Sequence, residues 1–224
     1  MPEVYNSKKQ GGDIMKHGTR QKKRHPRDYS EVMAGERQTT SPLATFSVRP
    51  SGVRFETQER EEEVLLLLRR HVITNLGWIL IVILLFLAPL VLGFFPLLES
   101  FPGRFLFITL VTWYLMIAGY GLEQFLSWYF NVYIITDERI IDIDFHNLIY
   151  KEIAAAKIEN IEDVTFKIGG ALRNVLNFGT IYIQTAGEKR EFDFEDVPRP
   201  EVVSKFINEM ILEEEKEKME GRVR

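Results

Sequence analysis

An uncharged apolar run is the feature that most constrains what this chain can fold into. From Val72 to Phe95 the sequence holds 24 residues without a single Asp, Glu, Lys or Arg. At ~1.5 Å per residue, a helix of that length covers roughly 36 Å, which is enough to cross a hydrocarbon core of about 30 Å. A soluble core helix of this kind would need a large protein around it, so the run predicts a membrane span.

A second apolar segment follows after about nine residues. It is uncharged from Phe105 to Leu122 and continues apolar to Trp128, with Glu123 near its end. A connection this short places consecutive helices side by side in opposite directions. Residues 72–128 are therefore predicted to form a transmembrane hairpin, with its two helices at residues 72–95 and 105–128.

The flanking charges predict the orientation of this hairpin. Arg69 and Arg70 precede the first span, whereas the turn carries only Arg104. Lys and Arg are enriched on the cytoplasmic side of membrane helices. The chain is therefore expected to lie in the inner membrane of the cell with both of its termini in the cytoplasm. Arg69 and Arg70 then become possible contacts to the membrane surface.

Residues 1–50 form a polar and basic segment that is expected to be disordered, since it has few large apolar residues. Its basic cluster, Lys22, Lys23 and Arg24, has two interpretations. It contacts anionic lipid headgroups, or it is a solvated tail that only reinforces the topology. Nucleic-acid binding is not expected, because no aromatic or structured module accompanies the charge.

Two polar side chains lie inside the apolar limits. Glu123 is near the end of the second span, and Asn75 is at the mirror position of the first. Intramembrane carboxylates often mark ion or proton pathways. The alternative is that Glu123 reaches headgroup water beside Trp128, in which case neither residue has a transport role.

Residues 51–71 are interpreted as a juxtamembrane segment. Val53–Thr57 alternates polar and apolar residues, as in a short strand. The acids after Gln58 and the arginines at its end favour a helix over Gln58–Arg70. Its apolar part, Val64–Leu68, is expected to lie against the membrane interface or against the soluble domain.

Residues 129–212 change to the alternating pattern of short antiparallel strands. Asp142 and Asp144 alternate with isoleucines and are expected to face solvent. An amphipathic helix runs from Arg199 to about Lys218, and the charged tail 213–224 is expected to project into solvent. The six predicted strands are Tyr129–Thr136, Arg139–Phe145, Leu148–Ile153, Ile158–Ile168, Phe178–Gln184 and Lys189–Phe194.

Three stretches of this region carry a family resemblance. They are Tyr133–Ile141 (YIITDERII), Ile158–Val164 (IENIEDV) and Phe178–Ile183 (FGTIYI). Together they resemble the bacterial PH-like (bPH2) domain of membrane proteins, a domain formerly of unknown function and related to the YdbS/YdbT-type proteins. The resemblance covers roughly residues 63–212. It implies an α+β membrane protein, in which a two-helix transmembrane hairpin precedes a small antiparallel β-barrel with a C-terminal amphipathic helix, and it implies no enzyme activity.

The residues themselves point to no catalytic, cofactor or metal site. The chain has no Cys, and no two of its four His lie three or four residues apart, so no pair of His has the spacing of a helical metal site. Residues 129–224 carry thirteen Lys and Arg against twenty Asp and Glu, a net charge of −7, so phosphoinositide binding is not expected.

The expected partners are therefore the lipid bilayer and either a protein or a second copy of the chain. The leading hypothesis is a non-enzymatic membrane protein that presents a cytoplasmic PH-like domain for protein interaction or self-assembly. The alternatives are an accessory subunit of a transporter or channel, and a sensor of anionic lipid that acts through the basic tail.

Overall fold

The computed structural model describes residues 30–35, 38–39, 41, 43–50, 52–53, 55, 58, 62–92, 102–145, 150–187 and 191–220. The helices are α1 (Glu31–Gly35), α2 (Leu76–Leu92), α3 (Gly103–Phe130), α4 (Ala171–Val175) and α5 (Pro200–Met219). The strands are β1 (Phe46–Val48), β2 (Val64–Leu68), β3 (Val132–Thr136), β4 (Arg139–Phe145), β5 (Lys151–Lys157), β6 (Ile161–Lys167), β7 (Phe178–Thr185) and β8 (Glu191–Pro198). Short 3₁₀ turns lie at Val72–Asn75 and Ile158–Asn160.

The strands form two antiparallel sheets that share one core. One sheet has the order β1-β2-β3-β4-β5 and the other the order β6-β7-β8. The predicted barrel is not closed, because no strand pairing joins the two sheets among the described residues. Between β5 and β6 the 3₁₀ turn at Ile158–Asn160 carries the chain from one sheet to the other, and Ile158 is buried in the core.

The segment Val64–Leu68 is a strand, so the helix predicted for Gln58–Arg70 is wrong there. β2 pairs with β1 on one side and with β3 on the other, and its last four residues are buried. A central strand covered on both faces reads as a continuous apolar run, whereas a helix would bury only one stripe. The expectation that this run packs against the soluble domain is confirmed.

Parts of the tail that was expected to be disordered are also ordered. Met33 of α1 and Val48 of β1 are fully buried in the core shared by the two sheets. The basic cluster Lys22–Arg24 lies outside the described residues, and so does most of Val53–Thr57.

The two apolar helices pack against each other in opposite directions. The indole Nε1 of Trp113 donates a hydrogen bond of 3.0 Å to the Leu85 carbonyl, and a Cβ on Gly121 would lie 3.6 Å from the Val82 side chain. Residues 72–91 and 103–130 are long and apolar enough to cross a membrane, and most of their large apolar side chains are exposed.

The C-terminal helix α5 packs as its sequence period predicts. Val203, Phe206, Ile207 and Met210 are buried in the core that both sheets line. The charged end differs from the expectation of full solvent exposure, because Glu213 and Glu217 are buried. Lys218, one residue further on, makes a 3.2 Å ion pair with Glu159.

Candidate functional site at the junction of helices and sheets

Both apolar helices connect to neighbouring strands through very short segments. Residues 69–71 link β2 to the 3₁₀ turn before α2, and Asn131 alone links α3 to β3. In the sheet, Leu68 lies opposite Tyr133. Because paired strands are only about 4.8 Å apart, the two helices leave the sheet side by side. We call the residues around these two links the junction.

Arg69 forms hydrogen bonds with the end of α3 and with the segment just before β1. Its Nε donates to the Tyr129 carbonyl at 3.0 Å, and its Nη1 donates to the Ala44 carbonyl at 3.3 Å. The guanidinium carbon lies 4.6 Å from the centre of the Tyr129 ring. Arg69 is only 8% exposed, and this burial lowers its pKa. The residue expected to contact the membrane surface is therefore turned into the protein.

Arg70 contacts both sheets and the second apolar helix. Its Nη2 lies 2.6 Å from Glu195 Oε2, and its carbonyl accepts a 2.9 Å hydrogen bond from Trp128 Nε1. Burial works to lower the pKa of Arg70, but Tyr133, Glu195 and Asp144 together raise it. Its Nε is buried with no hydrogen-bond partner in the part of the chain that the structure describes.

Tyr133 is the buried phenol at the centre of the junction. Its ring stacks on Phe194 of the other sheet at 4.5 Å, and its hydroxyl accepts a 3.1 Å hydrogen bond from the Glu195 backbone N–H. Burial raises the pKa of Tyr133 to about 12, although Arg70 acts in the opposite direction. The tyrosine thus ties β3 to β8 while it remains neutral.

The acids of β4 do not face solvent as a pair. Asp142 lies opposite Tyr133 and is 4% exposed, while Asp144 is half-buried. The other face of β4 is apolar, because Ile141 and Ile143 pack there in a second cluster. The predicted alternation of Asp142 and Asp144 with isoleucines is present in β4. The expectation that the two acids face solvent is wrong, because they lie on the inner face of the sheet near Arg70.

His71 closes the junction on the side of the smaller sheet. Its ring stacks on Phe178 at 4.8 Å, and its backbone N–H donates to the Asp196 carbonyl at 2.7 Å. Nδ1 accepts a hydrogen bond of 3.3 Å from the Ile73 N–H at the start of the first span. Burial lowers the pKa of His71, with an opposing effect from Asp196.

A second polar cluster lies at the hairpin between β3 and β4. Arg139 donates from Nε and Nη2 to the two carboxylate oxygens of Glu62, each at 2.9 Å. Thr136 Oγ1 donates to the same carboxylate at 2.8 Å. The cation of this hairpin is therefore neutralised by a forked internal pair, a geometry that leaves it poorly placed to hold a phosphate.

The two polar residues within the apolar segments are not joined into one site. Asn75 is buried and its Oδ1 accepts a 3.0 Å hydrogen bond from Trp78 Nε1. Glu123 is exposed on α3. No hydrogen bond connects the two in the described ranges. In those ranges there is also no group of three or more His, Asp or Glu able to hold a metal ion.

The contacts of the junction are long-range, and for that reason sequence reasoning missed them. Arg70 and Glu195 are separated by 125 residues, and Tyr133 and the Glu195 amide by 62. The one local signal was the pair Trp128-Tyr129 at the end of the second span, which the aromatic belt rule predicts. Chemically the arrangement holds the helices and sheets together, and it places no nucleophile beside a base.

A family model described as "Bacterial PH domain" matches residues 71–211, which is more than half of the 224 residues. The matched region begins at His71 in the junction and ends within α5, so it contains both apolar helices and β3 to β8 but neither β1 nor β2. Comparisons with curated proteins and with solved structures found no match.

Proposed function

Because this chain belongs to the bacterial PH domain family, we propose that it is a non-enzymatic membrane protein whose PH domain is held at the cytoplasmic surface for protein interaction or self-assembly. The observation that carries this proposal is the junction. Two membrane-length apolar helices enter adjacent strands of one sheet, with three residues on one side and a single residue on the other. A domain attached in this way has a fixed orientation to its two apolar helices, so it presents the same surfaces whenever the helices are in the membrane.

The contacts across the junction support a rigid attachment. Trp128 bonds to the Arg70 carbonyl, Arg69 bonds to the Tyr129 carbonyl, and the Asn131 side chain accepts from the Phe145 N–H. The first two contacts join α3 to the link that follows β2, and the third joins the residue after α3 to β4 of the first sheet. A flexible linker would instead show exposed polar residues with few contacts.

The surface that best suits a protein partner is the outer edge of β5. β5 is one of the edge strands in the described part of the chain, so it has a neighbouring strand on one side only. Its residues 151–157 are exposed or half-buried. Its middle residues, Ala154 to Ala156, are small and leave the backbone open. Extended segments of other chains bind such edges by adding a strand, which uses main-chain hydrogen bonds for affinity. The run Val64–Leu68 is not such a surface, because it is buried inside the sheet.

The topology is tested by cysteine labelling, which the Cys-free sequence makes clean. Arg104→Cys lies in the first turn of α3, and Glu215→Cys lies on an exposed position of α5. With both termini in the cytoplasm, a charged maleimide added to intact cells should label Arg104→Cys but label Glu215→Cys only after permeabilisation. The reverse pattern would contradict the orientation, and labelling of both positions or of neither in intact cells would contradict a hairpin that crosses the membrane.

The interaction surface is tested by photo-crosslinking in cells. A photoreactive amino acid at Ala155, exposed on the β5 edge, should give one discrete adduct, whereas the same group at Gln184 should give none. Gln184 is the matched control, since it is exposed but lies on β7, the central strand of the other sheet. Adding Ile153→Lys should abolish the adduct, because edge lysines oppose strand addition.

The mass of the adduct distinguishes the two forms of the proposal. An adduct of twice the chain mass indicates self-assembly. An adduct of any other discrete mass indicates a partner protein, which is then identified from the peptides of the adduct. If Ala155 gives no adduct, or Gln184 gives the same one, the edge of β5 is not the interaction surface.

A further inference from the structure

The short helix α4 presents an apolar face that the described part of the protein does not cover. Leu172, Val175 and Leu176 are 62%, 82% and 36% exposed. Their spacing of i, i+3 and i+4 places all three on one side of a helical turn. Exposed single apolar residues are ordinary, but three together on one turn form a patch that favours another surface.

The position of α4 relative to the first span is given by a chain of contacts. Arg173 Nη2 lies 2.9 Å from Asp196 Oδ1, and the Asp196 carbonyl accepts from the His71 N–H. The His71 ring stacks on Phe178, which starts β7 two residues after Leu176. Because His71 directly precedes Val72, the first residue of the first span, α4 lies at the end of the domain that faces the membrane.

The backbone holds α4 firmly in this place. Gly170 has a backbone φ of +91°, which residues other than glycine rarely adopt. It turns the chain from β6 into α4. At the other end, the Asn177 carbonyl accepts a 2.9 Å hydrogen bond from the Arg199 N–H. Both ends of the loop are thus tied to the second sheet or to the start of α5.

We propose that α4 is a membrane-interface anchor, which inserts Leu172, Val175 and Leu176 into the cytoplasmic leaflet beside the first span. This rests on the proposed membrane insertion of α2 and α3. Lipid is the occupant because the contacts through Asp196 and His71 place the patch at the same end of the domain as the start of the first span, where Val72 and Leu76 are also exposed. Short amphipathic segments with such a face bury it at the boundary of headgroups and acyl chains.

The anchor gives the domain a third attachment to the bilayer. The junction holds the domain rigidly to the two apolar helices, but a pair of helices can itself tilt in the bilayer and carry the domain with it. A contact through α4 on the second sheet removes this freedom. It thereby sets the angle at which the β5 edge is presented.

The test uses the full chain in vesicles of phosphatidylcholine and phosphatidylglycerol. Single cysteines at Val175, Gln184 and Leu84 carry an environment-sensitive fluorophore, and lipids spin-labelled near the headgroup quench it. Val175→Cys should be quenched at least about threefold more strongly than Gln184→Cys, because an interfacial segment lies at the depth of the quencher. Gln184 is exposed at the far end of β7 and is the matched control, while Leu84→Cys reports on insertion of the first span.

The three positions separate the possible failures. If Leu84→Cys is quenched by deeply spin-labelled lipid and Val175→Cys matches Gln184→Cys, the anchor is overturned and membrane insertion stands. If Leu84→Cys escapes every spin-labelled lipid, membrane insertion itself fails. If Val175→Cys is protected from aqueous iodide without being quenched by lipid, a protein surface covers α4 and the lipid assignment is wrong.

A second variant guards against an effect of the fluorophore. Leu172→Asp, added to Val175→Cys, should reduce the lipid quenching at least about twofold, because a charge in the interface opposes insertion. Both residues are exposed, so the fold of the domain is retained. Quenching that is unchanged by Leu172→Asp would overturn the anchor.

Discussion

Glu62→Ala is expected to lower the free energy of unfolding of the sheet domain by about 3 kcal/mol, which is the lower end of the loss for a broken buried ion pair. The Glu62 side chain is 1% exposed and accepts from Arg139 and from Thr136. Its removal leaves the guanidinium without its forked partner. The lower end applies because the Arg139 side chain is 21% exposed, so water reaches part of it.

The measurement is pulse proteolysis across a urea gradient in mild detergent, which reports the fraction of folded domain. Lys205→Ala is the matched control, since it removes an ion pair with Glu31 whose side chains are 54% and 81% exposed. Such a pair contributes little, so the control should unfold at the urea concentration of the wild type. Equal shifts for both variants would show that the Glu62 pair is not a structural one.

A double variant separates the pair from simple loss of packing. Arg139→Met in the Glu62→Ala background removes the cation that has lost the Glu62 carboxylate and keeps a side chain of similar length. Part of the lost stability should return, because the cost of a broken buried pair comes mainly from the charge left behind. A double variant less stable than Glu62→Ala would contradict this account.

The parts of the fold that follow local patterns were predictable from the sequence. The two apolar helices, most of the strands from Tyr133 onward and the stripe of α5 each follow a period that residues a few positions apart define. The third predicted strand is the exception, because β5 covers Lys151–Lys157 and not Leu148–Ile153. The strand β2 was missed because its local sequence pattern is that of a helix. The acids before Val64 and the arginines after Leu68 resemble the ends of a helix, whereas the burial of this run on both faces depends on β1 and β3, which are distant in sequence.

The junction was less predictable than the helices that enter it. Arg69 and Arg70 stand where membrane proteins carry charges that face headgroups, so the topology rule covers them without any reference to the domain. Their actual partners are the Tyr129 carbonyl, the Ala44 carbonyl and Glu195. Only the folding of β8 back against β3 brings Glu195 to Arg70, and no local pattern encodes that contact.

Tyr133 makes the stability of the domain dependent on pH in the alkaline range. Its pKa is about 12 in the folded protein, against a usual value of 10. The neutral phenol is therefore favoured by folding, and its contribution is complete below pH 10 and is lost as the pH rises from 10 to 12. A shift of two units corresponds to about 3 kcal/mol.

The comparison of the wild type with Tyr133→Phe isolates this contribution, because the lysines and the other tyrosines titrate alike in both proteins. Measured by urea unfolding in detergent at pH 9 and at pH 12, the wild type should lose about 2 kcal/mol more than the variant, because at pH 12 the phenol of the folded wild type is only half ionised whereas that of the unfolded chain is fully ionised. Tyr182→Phe, at a half-buried tyrosine of β7, is the control and should follow the wild type. If the wild-type and Tyr133→Phe stabilities fall in parallel over this range, Tyr133 is not held neutral by burial, and the tie that it forms between β3 and β8 is open to water.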